Sequence, residues 1–185
     1  MATLLNIYGN HRLDFNSGKQ LIKDISKRLN VMINDGGYRD IGEKTSDIDN
    51  ITFFTPYNNL EYNFEKWNKV MILTNYEHCS GFNILKHSIN YDTNFKYSNW
   101  IQNNINDENI SSWSDLNEFT IKMTNVFNGD TLIYFDDSRF QVQEDELHNS
   151  VDLNFAIKEM SSIWLPTKID EINHKNQHGW FIRHL

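Results

Sequence analysis

Three carboxylates, Asp130, Asp136 and Asp137, bracket a short apolar run. Carboxylates at a strand end hold Mg²⁺ or Mn²⁺ in centres that hydrolyse phosphoryl or ester bonds. Such centres need three or more converging acidic or His ligands, and no second motif here supplies the rest. The Asp-Asp-Ser run at 136–138 equally suits a turn after a strand, through local hydrogen bonding. His174 and His178 stand four apart, with Glu171 a turn earlier and His184 near the end. On a helix that spacing puts two imidazoles on one face, as zinc requires. The Glu that follows the first His in a metalloprotease helix is missing. The intervening Asn173, Lys175, Asn176, Gln177 and Gly179 read as a polar turn before a last strand. His78-Cys79-Ser80-Gly81 offers a thiol. A thiol nucleophile needs a base and an electropositive setting, and Glu77 next door works against a lowered thiol pKa, so an inert thiol is the expectation.

Other chemistry is less well supplied. Gly36-Gly37 lacks the lysine and spacing of a phosphate-binding loop, and no GxGxxG run occurs. A serine-centred nucleophile elbow is missing as well. Lys19, Lys23 and Lys27 form an i, i+4 row with Arg28 beside it. An amphipathic helix shows a polar face to water, which explains the row without a phosphate. No catalytic residue, metal or cofactor is therefore expected.

The elements that must carry these residues follow from periodicity. Leu4–Tyr8 reads as a strand, with a turn at Gly9-Asn10 and a continuation at Leu13–Phe15. Ser17 followed three later by Gln20 is a capping box. Leu21, Ile22, Ile25 and Leu29 then predict a helix over 17–30. Val31–Ile33 reads as a short strand ending at the turn signal Asn34-Asp35-Gly36-Gly37, with a polar loop over 38–50. Ile51–Thr55 and Val70–Leu73 read as strands, and Phe82–Tyr91 leans to strand. Phe95–Ile105 reads as a short helix. A second capping box, Ser112 to Asp115, opens a helix carrying Leu116, Phe119, Met123, Val126 and Phe127, which stops at Asn128-Gly129. Thr131–Phe135 is a strand, and Phe140–Val142 a further short one. Asn149-Ser150 caps a helix carrying Leu153, Ala156, Ile157 and Met160, with Asp152 in its first turn as the helix dipole favours. Leu165-Pro166 ends it, and Gly179–Leu185 closes the chain as a strand. Strands and helices alternate irregularly, without repeats or linkers. That predicts one α+β domain, a mainly antiparallel or mixed sheet with three to four helices.

With 185 residues and 39% hydrophobic side chains the chain has enough apolar material for a core. The single Cys79 makes no internal disulfide, which suits a reducing cytosol. The first residues lack a basic, apolar leader, and no stretch approaches a membrane span. A cytoplasmic protein with no membrane association is the expectation.

The formal charge of −8 is unevenly spread. Residues 107–159 hold twelve acids against three bases, a net of −9, and the remainder is at +1. This disfavours direct nucleic-acid binding and favours a basic partner. Trp100 and Trp113 lie in Asn-rich surroundings that predict partial exposure. Aromatic anchors rimmed by acids are what an interface with a basic protein uses. The interface candidates are Trp100, Asp107, Glu108, Trp113, Asp136, Asp137, Glu144, Asp145 and Glu146. In profile the chain resembles immunity proteins, which neutralise a bacterial toxin by covering it; no motif names a family. The expectation is a non-catalytic binder of a basic toxin domain. The alternatives are a hydrolase using the Asp130, Asp136 and Asp137 cluster, and a phage-type nucleic-acid mimic whose acidic face occupies a nucleic-acid-binding protein.

Overall fold

In Leu5–Asn10 (β1), Leu5 and Ile7 face one side while Tyr8 faces the other, and all three are buried. Successive side chains of a strand point to opposite faces, so burial of both demands a covering layer on each side. A computed structural model shows both layers. It describes residues 3–30, 33–35, 51, 53–55, 69–105, 111–136, 138–149 and 151–185.

The strands are β1, Asn34–Asp35 (β2), Phe53–Thr55 (β3), Lys69–Thr74 (β4), Cys79–Leu85 (β5), Ser88–Thr93 (β6), Thr131–Asp136 (β7), Thr167–Lys168 (β8) and Phe181–His184 (β9). Their order is β2-β3-β4-β5-β6-β1-β7-β9-β8. Pairing is antiparallel except for the short edge pairs β2·β3 and β8·β9. The sheet is mixed, and the fold is α+β.

One face is covered by Gly18–Leu29 (α1), Tyr97–Ile105 (α2) and Ser111–Val126 (α3). Leu21, Ile25, Trp100, Leu116, Phe119 and Met123 from these helices join Ile7, Phe82, Tyr91 and Tyr134 of the sheet in the larger core. Gln141–His148 (α4) and Leu153–Ile163 (α5) cover the other face over β1, β7 and β9. There Leu147, Leu153, Ala156 and Met160 meet Tyr8, Ile133, Phe135 and Ile182 in a second core.

Helix α1 forms as its sequence predicts. Ser17 Oγ accepts from the Gln20 N–H at 3.2 Å, and Asn30 closes the far end in the left-handed conformation. The Gln20 carboxamide accepts from the Asn16 N–H rather than from Ser17, so the capping box is displaced by one residue. Phe82–Tyr91 resolves into the hairpin β5–β6, with a register shift between Cys79 and Gly81.

Several expectations are corrected. β1 runs through Gly9 and Asn10 instead of turning there, because both pair with β6 and Gly9 also pairs with β7. Leu13–Phe15 is not a strand; Leu13 and Phe15 pack beside the larger core. Phe140–Val142 is helical at its end and not a strand. Gln143 and Leu147 are the buried positions of α4, four apart, a helical spacing that Phe140 and Val142 alone do not reveal. Helix α3 already includes Ser111, so the Ser112 box lies inside its first turn. Asp152 is itself the cap of α5, accepting from the Asn154 N–H at 2.8 Å. Among the described residues five α-helices pack against the sheet. Residues 31, 32, 36–50 and 150 lie outside the described residues, and with them most of the predicted strand, turn and loop there.

Candidate functional site

Asp130 and Asp136 do not converge. They stand at opposite ends of β7, roughly 20 Å apart at the rise of a strand. Asp130 clasps β1 to β7. Its Oδ1 accepts from Asn10 Nδ2 at 2.8 Å and from the Thr131 hydroxyl at 2.9 Å, and its Oδ2 meets Arg12 at 2.7 Å. Those hydrogen bonds, Asn10 foremost, hold its carboxyl below the usual carboxylate range. Asp136 is buried and builds the turn into α4. Its Oδ1 accepts from the Ser138 N–H, the Ser138 hydroxyl and the Arg139 N–H at 2.7–3.0 Å. Its Oδ2 lies 3.5 Å from Arg139 Nε. Both acids are therefore engaged within the chain, Asp130 by side chains of β1 and its surroundings and Asp136 by the turn into α4, and the two do not share a site. Asp137, with Asp107 and Glu108, lies outside the described residues. Among the described residues no three His, Cys, Asp or Glu side chains gather to hold a metal.

His174 and His178 lie in a turn, not on a helix. Asn173 and Asn176 organise it, the Lys175 N–H donating to Asn173 Oδ1 and the Asn173 N–H to Asn176 Oδ1. Cys79 is fully buried and its thiol donates to the Gly81 carbonyl at 3.0 Å. Burial pushes its pKa up, the direction that suppresses the thiolate. Lys19, Lys23 and Lys27 lie exposed along α1, while Arg28 pairs with Asp24 at 2.8 Å and donates to the Val126 carbonyl, tying α1 to α3.

Trp100 is not a surface anchor: it is 0% exposed. Its ring stacks on Tyr134 at 5.5 Å and meets Phe181 and Trp113 edge-on at 5.2 and 5.4 Å. The Asn-rich surroundings mislead because α2 turns Ser98, Asn99 and Gln102 outward. Tyr97, Trp100 and Ile101, at i, i+3 and i+4, face in. Trp113 is half-buried against Trp100 and Phe95 and belongs to the same aromatic nest.

The acidic segment is divided by the sheet. Asp115 and Glu118 ride on α3, over the larger core. Glu144, Asp145 and Glu146 ride on α4, and Asp152 and Glu159 on or at the cap of α5, over the opposite face. Residues 140–163 hold five acids against the single Lys158, a net of −4. This α4–α5 layer also exposes large apolar side chains: Val142 at 63%, Phe155 at 48% and Ile163 at 60%, followed by Trp164 at 49% and Leu165 at 76%. Asp145 and Glu146 lie three and four residues after Val142, on its side of α4. The sequence reading missed these apolar positions. Their signal was the unbroken Ile163-Trp164-Leu165 run after Met160, too many apolar residues in a row for one helical stripe to bury.

Beneath α4 sits a polar cluster. The Tyr8 hydroxyl lies 3.0 Å from His148 Nε2, and Glu144 Oε1 approaches the same nitrogen at 4.0 Å. Burial, then Lys69, lowers the His148 pKa, which favours the neutral imidazole beside the Tyr8 hydroxyl. Burial, with Glu144 and Asp145 adding to it, drives the Tyr8 pKa up and keeps the phenol protonated. Asn90 and Asn83 continue the row across the sheet, their amides 3.3 Å apart, with Asn83 Oδ1 buried and unpaired.

Beside the α5 terminus an open groove of about 510 Å³ is lined by Arg139, Phe140, Ile163, Trp164 and His178. The layer can thus hold an apolar anchor, attract a cation along α4, and take a small body in the groove. No protein-family model matches the sequence, and neither the curated proteins nor the solved structures contain a significant match to it.

Proposed function

We propose that this chain is a non-catalytic binding domain that engages a basic protein partner through the α4–α5 layer. The observation that carries the reading is the coincidence, on one face, of exposed apolar side chains with the acids of α4 and α5. Contiguous apolar groups rimmed by charge mark interaction surfaces. Acids at the rim steer a basic partner and raise its association rate. The specific form is an inhibitor that neutralises a toxic protein in the cytoplasm, as immunity proteins do. Blocking an active site by covering it needs no chemistry from the inhibitor.

The test is purification from the native cell at moderate salt, followed by kinetics. A stoichiometric partner of basic charge supports the reading, provided its association slows as salt rises and slows again in the Glu144→Gln, Asp145→Lys, Glu146→Gln variant. A partner whose association ignores both salt and the variant contradicts it.

A further inference from the structure

We propose that the groove beside the α5 terminus is a binding site for a small apolar carboxylate, an aromatic acid; it shares Ile163 and Trp164 with the partner surface proposed above but does not rest on that partner. The groove's walls are fixed by the fold. Trp164 is anchored through its backbone: its N–H donates to the Met160 carbonyl at 2.8 Å, and its carbonyl accepts from Trp180 Nε1 at 2.7 Å. Its indole lies along Gly179, where a Cβ would stand only 3.1–3.2 Å from the ring. Gly179 takes a positive φ of 119°, and its carbonyl accepts from the Tyr97 hydroxyl at 2.9 Å, so the backbone under the indole is held from the far side as well. A tryptophan held this firmly while 49% exposed is a flat apolar platform. Ile163, itself exposed, extends the apolar surface, and the buried Phe140 also lines the groove.

The polar end of the groove is cationic, in a chain whose net charge is −8. Asp136 fixes Arg139 twice, accepting from its backbone N–H at 2.9 Å and lying 3.5 Å from its Nε. The carboxylate thereby orients the guanidinium while leaving both terminal nitrogens without a partner among the described residues. Two parallel N–H groups on a planar fork match a carboxylate's two oxygens. His178 lines the same groove. A volume of about 510 Å³ lies within the range of small-molecule sites, which pair an apolar lining with a few placed polar groups. A flat ring on Trp164 with its acid group on Arg139 satisfies both ends. A neutral analogue leaves the guanidinium unanswered.

The experiment compares naphthalene-2-carboxylate with naphthalene-2-carboxamide, followed by the NMR shift of the Trp164 indole N–H and by tryptophan fluorescence. The expected result is saturable binding of the acid, on the order of tenfold or more tighter than the amide, as a charged hydrogen bond gives. Arg139→Gln abolishes the preference. Arg139→Lys keeps part of it, and Trp164→Ala weakens both probes. Thermal melts confirm that each variant is folded; Arg139 is half-exposed, and Arg139→Lys keeps a cation beside the buried Asp136 as the control for any loss of midpoint in Arg139→Gln. The Glu144→Gln, Asp145→Lys, Glu146→Gln variant, which tests the protein partner, leaves the acid's affinity unchanged. Equal binding of acid and amide overturns the proposal, as does a preference that survives Arg139→Gln, or no binding of either probe at millimolar concentration.

Discussion

At Asn10 one side chain makes three hydrogen bonds. Its Oδ1 accepts from the Asp130 and Thr131 N–H groups at 2.8 and 2.9 Å, and its Nδ2 donates to Asp130. Asn10→Ala leaves two backbone donors without an acceptor, and the expected loss is about 1–3 kcal/mol in urea denaturation. Gly129 abuts the same place, where a Cβ would collide with the Asn10 carbonyl. Two histidines set the acid sensitivity. His11 accepts from the Leu13 N–H through Nδ1, which leaves Nε2–H to donate to the Leu85 carbonyl at 2.8 Å. Burial lowers the pKa of both His11 and His148 below the free value of 6.5. The unfolded chain therefore binds more protons than the folded one as pH falls below about 6.5. The stability these groups contribute is full above that value and is lost toward the lower folded pKa. The thermal midpoint should fall between about pH 7 and pH 5, and the His11→Gln, His148→Gln double variant should show a shallower slope. An unchanged slope in the double variant would assign the effect to other groups.

Helix α1 was legible because its signals are local: a cap, four apolar residues at helical spacing and a left-handed stop. Strand β7 was legible for a similar reason, as a wholly apolar run between acids. Helix α2 was harder. The spacing of Tyr97, Trp100 and Ile101 marks an inward face, yet the Asn-rich composition suggested exposure for Trp100. Composition averages over a helix whose two faces differ. Helix α4 was misread because Phe140 and Val142 mimic strand alternation, and only tertiary burial of Gln143 and Leu147 fixes the period. The pairing of Tyr8 with His148, 140 residues apart, carries no local signal at all. The correction at α2 has a direct consequence. Trp100→Ala should cost about 3–5 kcal/mol of stability, the range for a large buried ring. Partner affinity of the fraction that remains folded should be unchanged; lost affinity with full stability would return Trp100 to the surface. Gly179→Ala should destabilise as well, since its positive φ strains any side chain and its Cβ would crowd Trp164.

Across the whole molecule, the sheet is the element that reorganises the charge. A sequence segment with a net of −9 reads as one acidic face, but the chain places part of it on α3 and part on α4 and α5, on opposite sides. Among the described residues the α4–α5 side joins its acids to exposed apolar groups and a groove, and it is the surface proposed as the binding face. Reversing charge there should slow association with the partner on the order of tenfold at low salt, while Asp115→Lys with Glu118→Lys on α3 should have little effect. The most direct test of this account is hydrogen–deuterium exchange on the complex of this domain with its co-purified basic partner. The account predicts new protection concentrated in residues 140–165, with α1 and α3 unchanged. Protection over α1 or α3, with 140–165 exchanging as in the free protein, would contradict it.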